Sequence, residues 1–356
     1  MLASSEGQRP VPVAALIDWT TRVLETARVP KADAVTTAQV LVRSDLRGFG
    51  THGLARLTSY MERLRNAEFN AQPQINVERK GPVLNVHADG ALGQVAAQRA
   101  VDEATAILPN EPMLWVSLRE TGHLGALGIF TLVAAERGYV CFMGQRTPPL
   151  LGLPGFYRAA LGHNPLAFAA PMGEGRPPFV FDMACSVAAR GYILLAAREG
   201  KPIPENWALT SDGRPTTDAA EAVVGMLQPT GGYKGMGIAM MIECLAAALS
   251  ATSESNREPT MVTPKGGAVP RQSAFFLFLN PALVDDRSAF IDYMRHMFDF
   301  YSESGGEQAR VPGERGDALE QEGRARGLVF PASIDKELRA LGSAAGIPFP
   351  GAGESG

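Results

Sequence analysis

Ser44-Asp45-Leu46-Arg47-Gly48-Phe49-Gly50-Thr51-His52-Gly53-Leu54-Ala55-Arg56-Leu57 is the most informative stretch of the chain. Gly48 and Gly50 break one helical pattern, after which Leu54, Leu57, Tyr60, Met61 and Leu64 recur at helical spacing. The spacing predicts that His52 and Arg56, four residues apart, share the other face near the positive end of that helix. An imidazole beside a fixed cation suits an anionic substrate whose oxygen gains or loses a proton. The same residues would also serve as a turn-capping histidine and a solvated arginine.

Outward from this stretch, residues 12–66 read as helical: Val13 to Ala27, Lys31 to Leu46 with Asp33 as N-cap, and Gly53 to Asn66. From about residue 74 the pattern changes. Ile75 to Arg79 and Val83 to Ala88 alternate as half-buried strands around the turn Lys80-Gly81-Pro82. Residues 94–107 read as a helix, Met113 to Leu118 as a buried strand, and Gly128 to Arg137 as another helix. Tyr139 to Met143, Leu166 to Pro171 and Phe179 to Phe181 read as strands. Gly231-Gly232-Tyr233-Lys234-Gly235 is a glycine-rich turn feeding an apolar helix, Met236 to Ala251. Thr252 to Gly267 is polar and turn-rich, as a loop would be. Ala274-Phe275-Phe276-Leu277-Phe278-Leu279 is the strongest strand in the chain, followed by a helix from about Ser288 to Phe298. Gly305 to Gly327 is glycine-rich and charged, ahead of a short helix near Ile334 to Ala345. A helical N-terminal lobe followed by a mixed α/β body is the economical organisation.

The composition bounds the function. A chain of 356 residues, 46% hydrophobic and 20% charged, has the make-up of an enzyme-sized globule of two lobes. A net charge of -4 gives no global attraction to nucleic acid or to an anionic membrane. Cys141, Cys185 and Cys244 are odd in number, widely spaced and in apolar surroundings, so they read as buried reduced thiols of a cytoplasmic protein. The N-terminal stretch has no basic segment followed by a long apolar core, so no signal peptide is expected. Ile238 to Leu249 is interrupted by Glu243 and too short to span a bilayer.

Three of the five histidines, His52, His123 and His163, sit in glycine-flanked segments that read as turns. Gly122-His123-Leu124-Gly125 follows a strand and precedes a helix, a position where active-site groups concentrate. Phe181-Asp182-Met183-Ala184-Cys185-Ser186 puts a carboxylate at the end of an apolar strand. A buried Asp182 needs a partner, and a histidine is the candidate, with an Asx turn as the alternative. His87 and His296 read as structural. No G-x-G-x-x-G follows a strand, and there is no P-loop, H-E-x-x-H, C-x-x-C or G-x-S-x-G. Gly48, Gly50 and Gly53 have the fingerprint spacing but follow a helix. Metal-assisted chemistry is disfavoured, because no two histidines have ligand spacing on a helix or strand. Gly232 with Lys234 at a helix start would suit a phosphate.

Seven segments in order resemble the malate/L-lactate dehydrogenase-like oxidoreductase family, from about residue 11 to residue 347. They are Asp45-Leu46-Arg47-Gly48 with Thr51-His52-Gly53 and Arg56; Asp89-Gly90 with Leu92-Gly93; Gly122-His123-Leu124-Gly125; Gly162-His163-Asn164-Pro165; Asp182-Met183-Ala184-Cys185-Ser186; Gly232-Tyr233-Lys234-Gly235; and Pro312-Gly313-Glu314-Arg315. The resemblance implies an α/β (α+β) fold. A helical lobe, residues 1–75, would be completed by residues 310–356. Residues 76–309 would form a mixed, largely antiparallel-sheet, non-Rossmann domain binding NADP or NAD, and the protein would be a homodimer.

The resemblance also assigns roles. His52 would be the acid/base that protonates the carbonyl or imine as hydride arrives, and His123 is the acid/base candidate in some members. Asp182 joins them as a catalytic candidate. Arg56 would bind the substrate carboxylate, with Arg47 nearby. Thr147, His163, Asn164, Pro178, Phe179, Val180, Phe181, Asp182, Met183, Ala184, Tyr233, Lys234, Gly313, Glu314 and Arg315 would line the dinucleotide, and no metal is required. Hydride transfer to C2 of a 2-oxo acid needs at minimum one proton donor and one carboxylate clamp, which His52 and Arg56 supply.

Three departures stand out: Thr51 where most members have Ser, His163 where members usually have Thr, and Gln145-Arg146-Thr147 in place of a Thr-Asn-Ser-like run. Arg146 would meet a 2′-phosphate and favour NADPH. The expected reaction is hydride transfer at C2 of a small 2-oxo or 2-hydroxy acid of the malate, lactate or sulfolactate type. The alternatives are reduction of a cyclic imino acid such as Δ1-piperideine- or pyrroline-2-carboxylate, and a catalytically silent binding protein.

Overall fold

A computed structural model describes residues 9–250 and 272–351. Three helices open it: α1 (Val13–Glu25), α2 (Lys31–Leu46) and, after a 3₁₀ turn at Leu54–Arg56, α3 (Leu57–Arg65). Then come β1 (Asn76–Lys80), β2 (Val83–His87), α4 (Gly93–Ile107), β3 (Met113–Thr121), α5 (Leu127–Glu136) and β4 (Val140–Arg146). Next are β5 (Pro149–Leu151), β6 (Leu161–Gly162), β7 (Leu166–Ala170), β8 (Phe179–Met183) and α6 (Arg190–Glu199). β9 (Ala208–Leu209), β10 (Pro215–Thr216), α7 (Ala219–Val224), β11 (Met226–Leu227) and α8 (Tyr233–Glu243) follow. The chain ends with β12 (Gln272–Leu279), α9 (Pro281–Val284), α10 (Arg287–Gly305), α11 (Glu314–Arg326) and α12 (Ala332–Ala344).

The phenylalanine-rich strand β12 lies inside a seven-stranded sheet of order β1-β2-β3-β12-β4-β7-β8. The β2–β3 pair is parallel and the other neighbours are antiparallel. Both faces of β12 are covered, so its side chains are apolar in both directions. Phe276 and Phe278 pack with α4 and α5. Phe275 points the other way, onto Ile242 and Ala246 at the end of α8, and stacks on Trp115 at 5.0 Å. A second sheet of five short strands, β10-β9-β11-β5-β6, shares a core with α6, α7 and α8.

A separate core unites α1, α2 and α3 with the C-terminal segment: Leu16, Trp19, Leu41 and Leu57 meet Phe330, Leu338 and Phe349. Trp19 Nε1 donates to the Ile347 carbonyl at 3.0 Å. Burying both strand faces and this helical core is the dominant favourable term in folding.

Several local expectations change. Asp33 is not the N-cap of α2; Pro30 is, because the proline fixes φ and the helix starts at once with Lys31. Gly305 to Gly327 is not merely glycine-rich and charged, because α11 occupies Glu314–Arg326. Its glycines are there for proximity. A Cβ at Gly323 would meet Leu46 Cδ2 at 2.6 Å, and one at Gly316 would meet Arg47 Nη2 at 3.1 Å. α10 runs longer than expected, α8 starts at Tyr233 and continues as a π turn to Ala248, and α6, α7 and the small sheet are additional. Cys244 is exposed rather than buried, on the outside of that π turn, and His296 is exposed on α10. The expected loop from Thr252 to Gly267, and the Ala251 end of the helix before it, lie outside the described residues.

Candidate active site

Asp45, on the last turn of α2, shapes the first part of the site. Its buried Oδ2 accepts from the Leu54 N–H at 2.8 Å, and a Cβ at Gly53 would overlap the same carboxylate. Only glycine lets the backbone pass there. Burial pushes the Asp45 carboxyl up to about 8, against the pull of the Leu54 N–H. His52 and Arg56 therefore do not share a helical face: His52 lies in the turn, Leu54–Arg56 is 3₁₀, and α3 begins at Leu57. What joins them is a tight loop. Arg56 Nε donates to the Thr51 carbonyl at 2.7 Å, and Thr51 Oγ1 is 3.0 Å from His52 Nδ1.

His123 arrives from the far end of β3. Its ring lies 5.7 Å from that of His52, with 28° between planes. Gln94 Nε2 donates to Tyr60 Oη at 3.2 Å, as well as to the His123 and Leu124 carbonyls. With its oxygen accepting from Gln94, the Tyr60 hydroxyl donates to His123 Nδ1 at 2.8 Å. Neutral His123 then carries its proton on Nε2. Burial, reinforced by His52 and Arg56, holds His123 well below the usual histidine range. Burial likewise brings His52 down to about 4, with help from Arg56 and His163. Both imidazoles are neutral at neutral pH.

His163, after β6, completes the cluster, with Nδ1 3.2 Å from Thr147 Oγ1. Burial first, then Arg190 and Arg56, lowers it to about 4. Thr51, His52, Arg56, His123, Thr147, His163, Asp182, Met183, Ala184 and Arg190 all line one cavity of about 300 Å³. The three glycine-flanked histidines, more than 100 residues apart from first to last, thus meet in space. Among the described residues, no group of three or more His, Cys, Asp or Glu is arranged to hold a metal ion.

Other candidates stand elsewhere. Asp182 is not paired with a histidine. Its Oδ2 accepts from the Gly128 N–H at 2.7 Å at the start of α5, where free backbone donors are available. Burial raises it to about 6, opposed by the Gly128 and Leu127 N–H groups. Arg47 does not face the cavity; its buried guanidinium donates to Glu320 at 3.0 Å and to the Gly313 carbonyl at 3.2 Å. Arg146 is likewise committed, with Nε 2.9 Å from Glu243 Oε1, so it is not the free cation that a 2′-phosphate needs.

Asn164 is fully buried and acts as a clamp, accepting from Thr147 N and donating to the Ala239 carbonyl and Glu243. Phe179, Val180 and Phe181 run along β8, directly after Pro178. There Val180 N–H donates to Pro312 O, and Gly313, at φ 105°, leaves no room for a Cβ beside Pro178 and Val180. Glu314 and Arg315 open α11 and are exposed. Tyr233 and Lys234 are exposed at the start of α8 and do not line the cavity; the Thr230 N–H to Cys185 carbonyl bond ties the turn before them to the segment after β8. Sequence reasoning missed Gln94, the role of Tyr60, and Arg190. The one available signal was an amide, Gln94, set among the alanines of α4.

The family profile for malate/L-lactate dehydrogenase matches residues 11–339. A (2R)-3-sulfolactate dehydrogenase (NADP(+)) from Chromohalobacter salexigens is 34% identical over 317 residues, 89% of this chain and 93% of that protein. A ureidoglycolate dehydrogenase (NAD(+)) from Escherichia coli is 38% identical over 224 residues, 63% of each chain. The solved sulfolactate dehydrogenase from Methanocaldococcus jannaschii superposes with a TM-score of 0.84 at 29% identity, covering 96% of this chain and 98% of that one. By the extent of these matches, the chain belongs to the malate/L-lactate dehydrogenase family.

Proposed function

We propose that this chain moves a hydride between NADP(H) or NAD(H) and C2 of a small 2-oxo or 2-hydroxy acid. The observation that carries the reading is the convergence of His52, His123 and an unpaired Arg56 on one cavity of about 300 Å³. That volume is at the small end of ligand pockets, as a short acid requires. Arg56 is tethered through Nε, and its terminal nitrogens make no hydrogen bond or ion pair among the described residues, so they are available to clamp a carboxylate. Neutral His123, with its proton on Nε2 and Nδ1 held by Tyr60, presents a fixed donor, and His52 stacks beside it.

The residues present fit a dinucleotide. Lys234 and the positive end of α8, opened by Gly231 and Gly232 at φ 60° and 63°, suit a pyrophosphate, and the exposed Phe181 and Tyr233 offer apolar surface. When bound, the cofactor supplies or accepts the hydride. In the reducing direction an imidazole ring first takes up a proton from solvent and, as imidazolium, gives it to the oxygen as C2 becomes sp³; in the oxidising direction the neutral ring takes the proton from the hydroxyl and releases it to solvent. Lowered histidine affinities for protons mean that the imidazolium, once formed, returns its proton readily.

No helix among the described residues is long and apolar enough to cross a membrane, and we place the enzyme in the cytoplasm as a homodimer. The exposed Met240 and Met241 on α8 are apolar surface that a second copy would cover. The test is steady-state oxidation of NADPH and of NADH with a panel of 2-oxo acids, using wild type, His52→Asn, His123→Asn and Arg56→Gln. Loss of kcat in the histidine variants and a raised KM in Arg56→Gln are expected. Turnover that survives both histidine changes overturns the assignment.

A further inference from the structure

Gln94, in the first turn of α4, is fully buried and tightly placed: a Cβ at the preceding Gly93 would sit 2.2 Å from the His123 carbonyl oxygen. Its Nε2 reaches three oxygens: the His123 carbonyl at 3.2 Å, the Leu124 carbonyl at 3.0 Å and Tyr60 Oη at 3.2 Å. Carbonyls only accept, so the amide nitrogen has to face them, and turning the amide over would set oxygen against oxygen. This orientation strands Gln94 Oε1, which is buried with no hydrogen-bond partner among the described residues. A buried orphan of this kind is rare in native structures and calls for a reason. The reason lies in what the nitrogen does to Tyr60. An amide nitrogen accepts nothing, so the proton of the buried Tyr60 hydroxyl cannot go to Gln94. Its remaining partner among the described residues is His123 Nδ1, at 2.8 Å.

A neutral histidine whose Nδ1 accepts from a hydroxyl carries its proton on Nε2 and has no lone pair there to receive another. His123 becomes an imidazolium only by gaining a proton on Nδ1. That proton needs the Tyr60 oxygen as acceptor and leaves the Tyr60 hydroxyl proton with no acceptor among the described residues. Nor does Tyr60 pass its own proton along, because burial pushes the phenol up to about 12. His52 is held differently. Its Nδ1 faces Thr51 Oγ1 at 3.0 Å, and that hydroxyl makes no other hydrogen bond among the described residues. It is free to donate to the neutral ring and to turn and accept from the charged one. We propose that Gln94 is a positioning residue which, through Tyr60, locks His123 as a neutral hydrogen-bond donor to the substrate oxygen and leaves proton transfer to His52. In reduction the His52 imidazolium gives its proton to that oxygen as C2 gains the hydride, and is left neutral. His123 Nε2–H steadies the developing negative charge and keeps its own proton. This inference rests on the hydride-transfer reading of the site.

The test replaces each histidine with a side chain that keeps a neutral N–H donor but cannot carry a proton. His123→Gln is expected to lower kcat by about tenfold or less, and His123→Leu, which removes the donor, by about a hundredfold to a thousandfold. His52→Gln is expected to lower kcat by at least about a hundredfold and to flatten the pH profile of kcat/KM that wild type and His123→Gln share. The titratable and charged groups around the two rings, Arg56, Tyr60, Arg63, His163 and Asp182, stay in place in all three variants. Gln94→Met is close in size but lacks the N–H. Nitrogen NMR of the folded variant is expected to show His123 moving from the Nε2-protonated form to a mixture, with kcat lowered, KM held, and no further loss on combination with His123→Gln. Tyr60→Phe, which removes the hydroxyl itself, is expected to do the same and takes the place of Gln94→Met if that protein does not fold. Equal losses in His123→Gln and His123→Leu overturn the proposal, as does a pH profile that flattens in His123→Gln but persists in His52→Gln. An unchanged His123 tautomer in the folded variant overturns the role of Gln94. Failure of wild type to oxidise reduced cofactor with any 2-oxo acid overturns the hydride-transfer reading instead, and the nitrogen spectrum, read without turnover, tells the two failures apart.

Discussion

Replacing His163 with asparagine tests whether the three-histidine cavity has the electrostatics described above. The imidazole titrates at about 4 in the folded chain against an ordinary value of 6.5, because it is buried and faces Arg190 and Arg56. Between those values the unfolded chain binds a proton that the folded chain refuses, so stability falls as pH drops through this window. At 1.36 kcal/mol per pH unit, this one group withdraws roughly 3 kcal/mol between pH 7 and pH 4. His52 and His123 act in the same direction, while Asp182 and Asp45, with raised values, act in the opposite one. The slope of the wild type is therefore a sum, and only the difference from His163→Asn isolates the term. Denaturant unfolding of both proteins at several pH values measures it. Relative to wild type, the variant is expected to gain about 3 kcal/mol as pH falls from 7 to 4. Two curves that stay parallel over that range refute a buried, neutral His163 between two arginines.

Three further outcomes follow from contacts already described. Glu320→Gln leaves Arg43 and Arg47 without their shared carboxylate between α2 and α11, and is expected to cost about 3–5 kcal/mol in thermal or denaturant unfolding. Gly53→Ala would drive a Cβ into the Asp45 carboxylate and displace the His52 loop, so kcat/KM should fall by about a hundredfold, far more than stability does. Tyr60→Phe removes the donor to His123 Nδ1, with an expected loss of about 1–3 kcal/mol. Nitrogen NMR of the wild type should show the His123 proton on Nε2; a proton on Nδ1 would contradict the chain from Gln94 through Tyr60.

The sheet was legible where strands are long and buried. Ala274 to Leu279 reads as a strand because β12 is covered on both faces, and Val83 to Ala88 alternates because β2 is half covered. The small sheet was not legible, since strands such as Ala208–Leu209 and Met226–Leu227 are two residues long and carry no period. Helix α11 was hidden by Gly316 and Gly323, which lower helix propensity yet are required by the close approach of Arg47 and Leu46. Within the site, glycine-flanked turns pointed to His52, His123 and His163, because loops that hold active groups need unusual backbone. Nothing local marked Arg47 and Arg146 as structural or Arg190 as open to the cavity. Whether an arginine is paired is decided by Glu320 and Glu243, which lie 273 and 97 residues away.

The most direct measurement of the central claim follows a labelled hydride. The protein is mixed with a 2-oxo acid and with NADPH or NADH deuterated at the transferring position of the nicotinamide, and the product is analysed by mass spectrometry and NMR. The account predicts one deuterium at C2 of a 2-hydroxy acid, with none transferred by a folded His52→Asn, His123→Asn double variant. Folded wild-type protein that binds neither dinucleotide, or product formed without deuterium at C2, would contradict it.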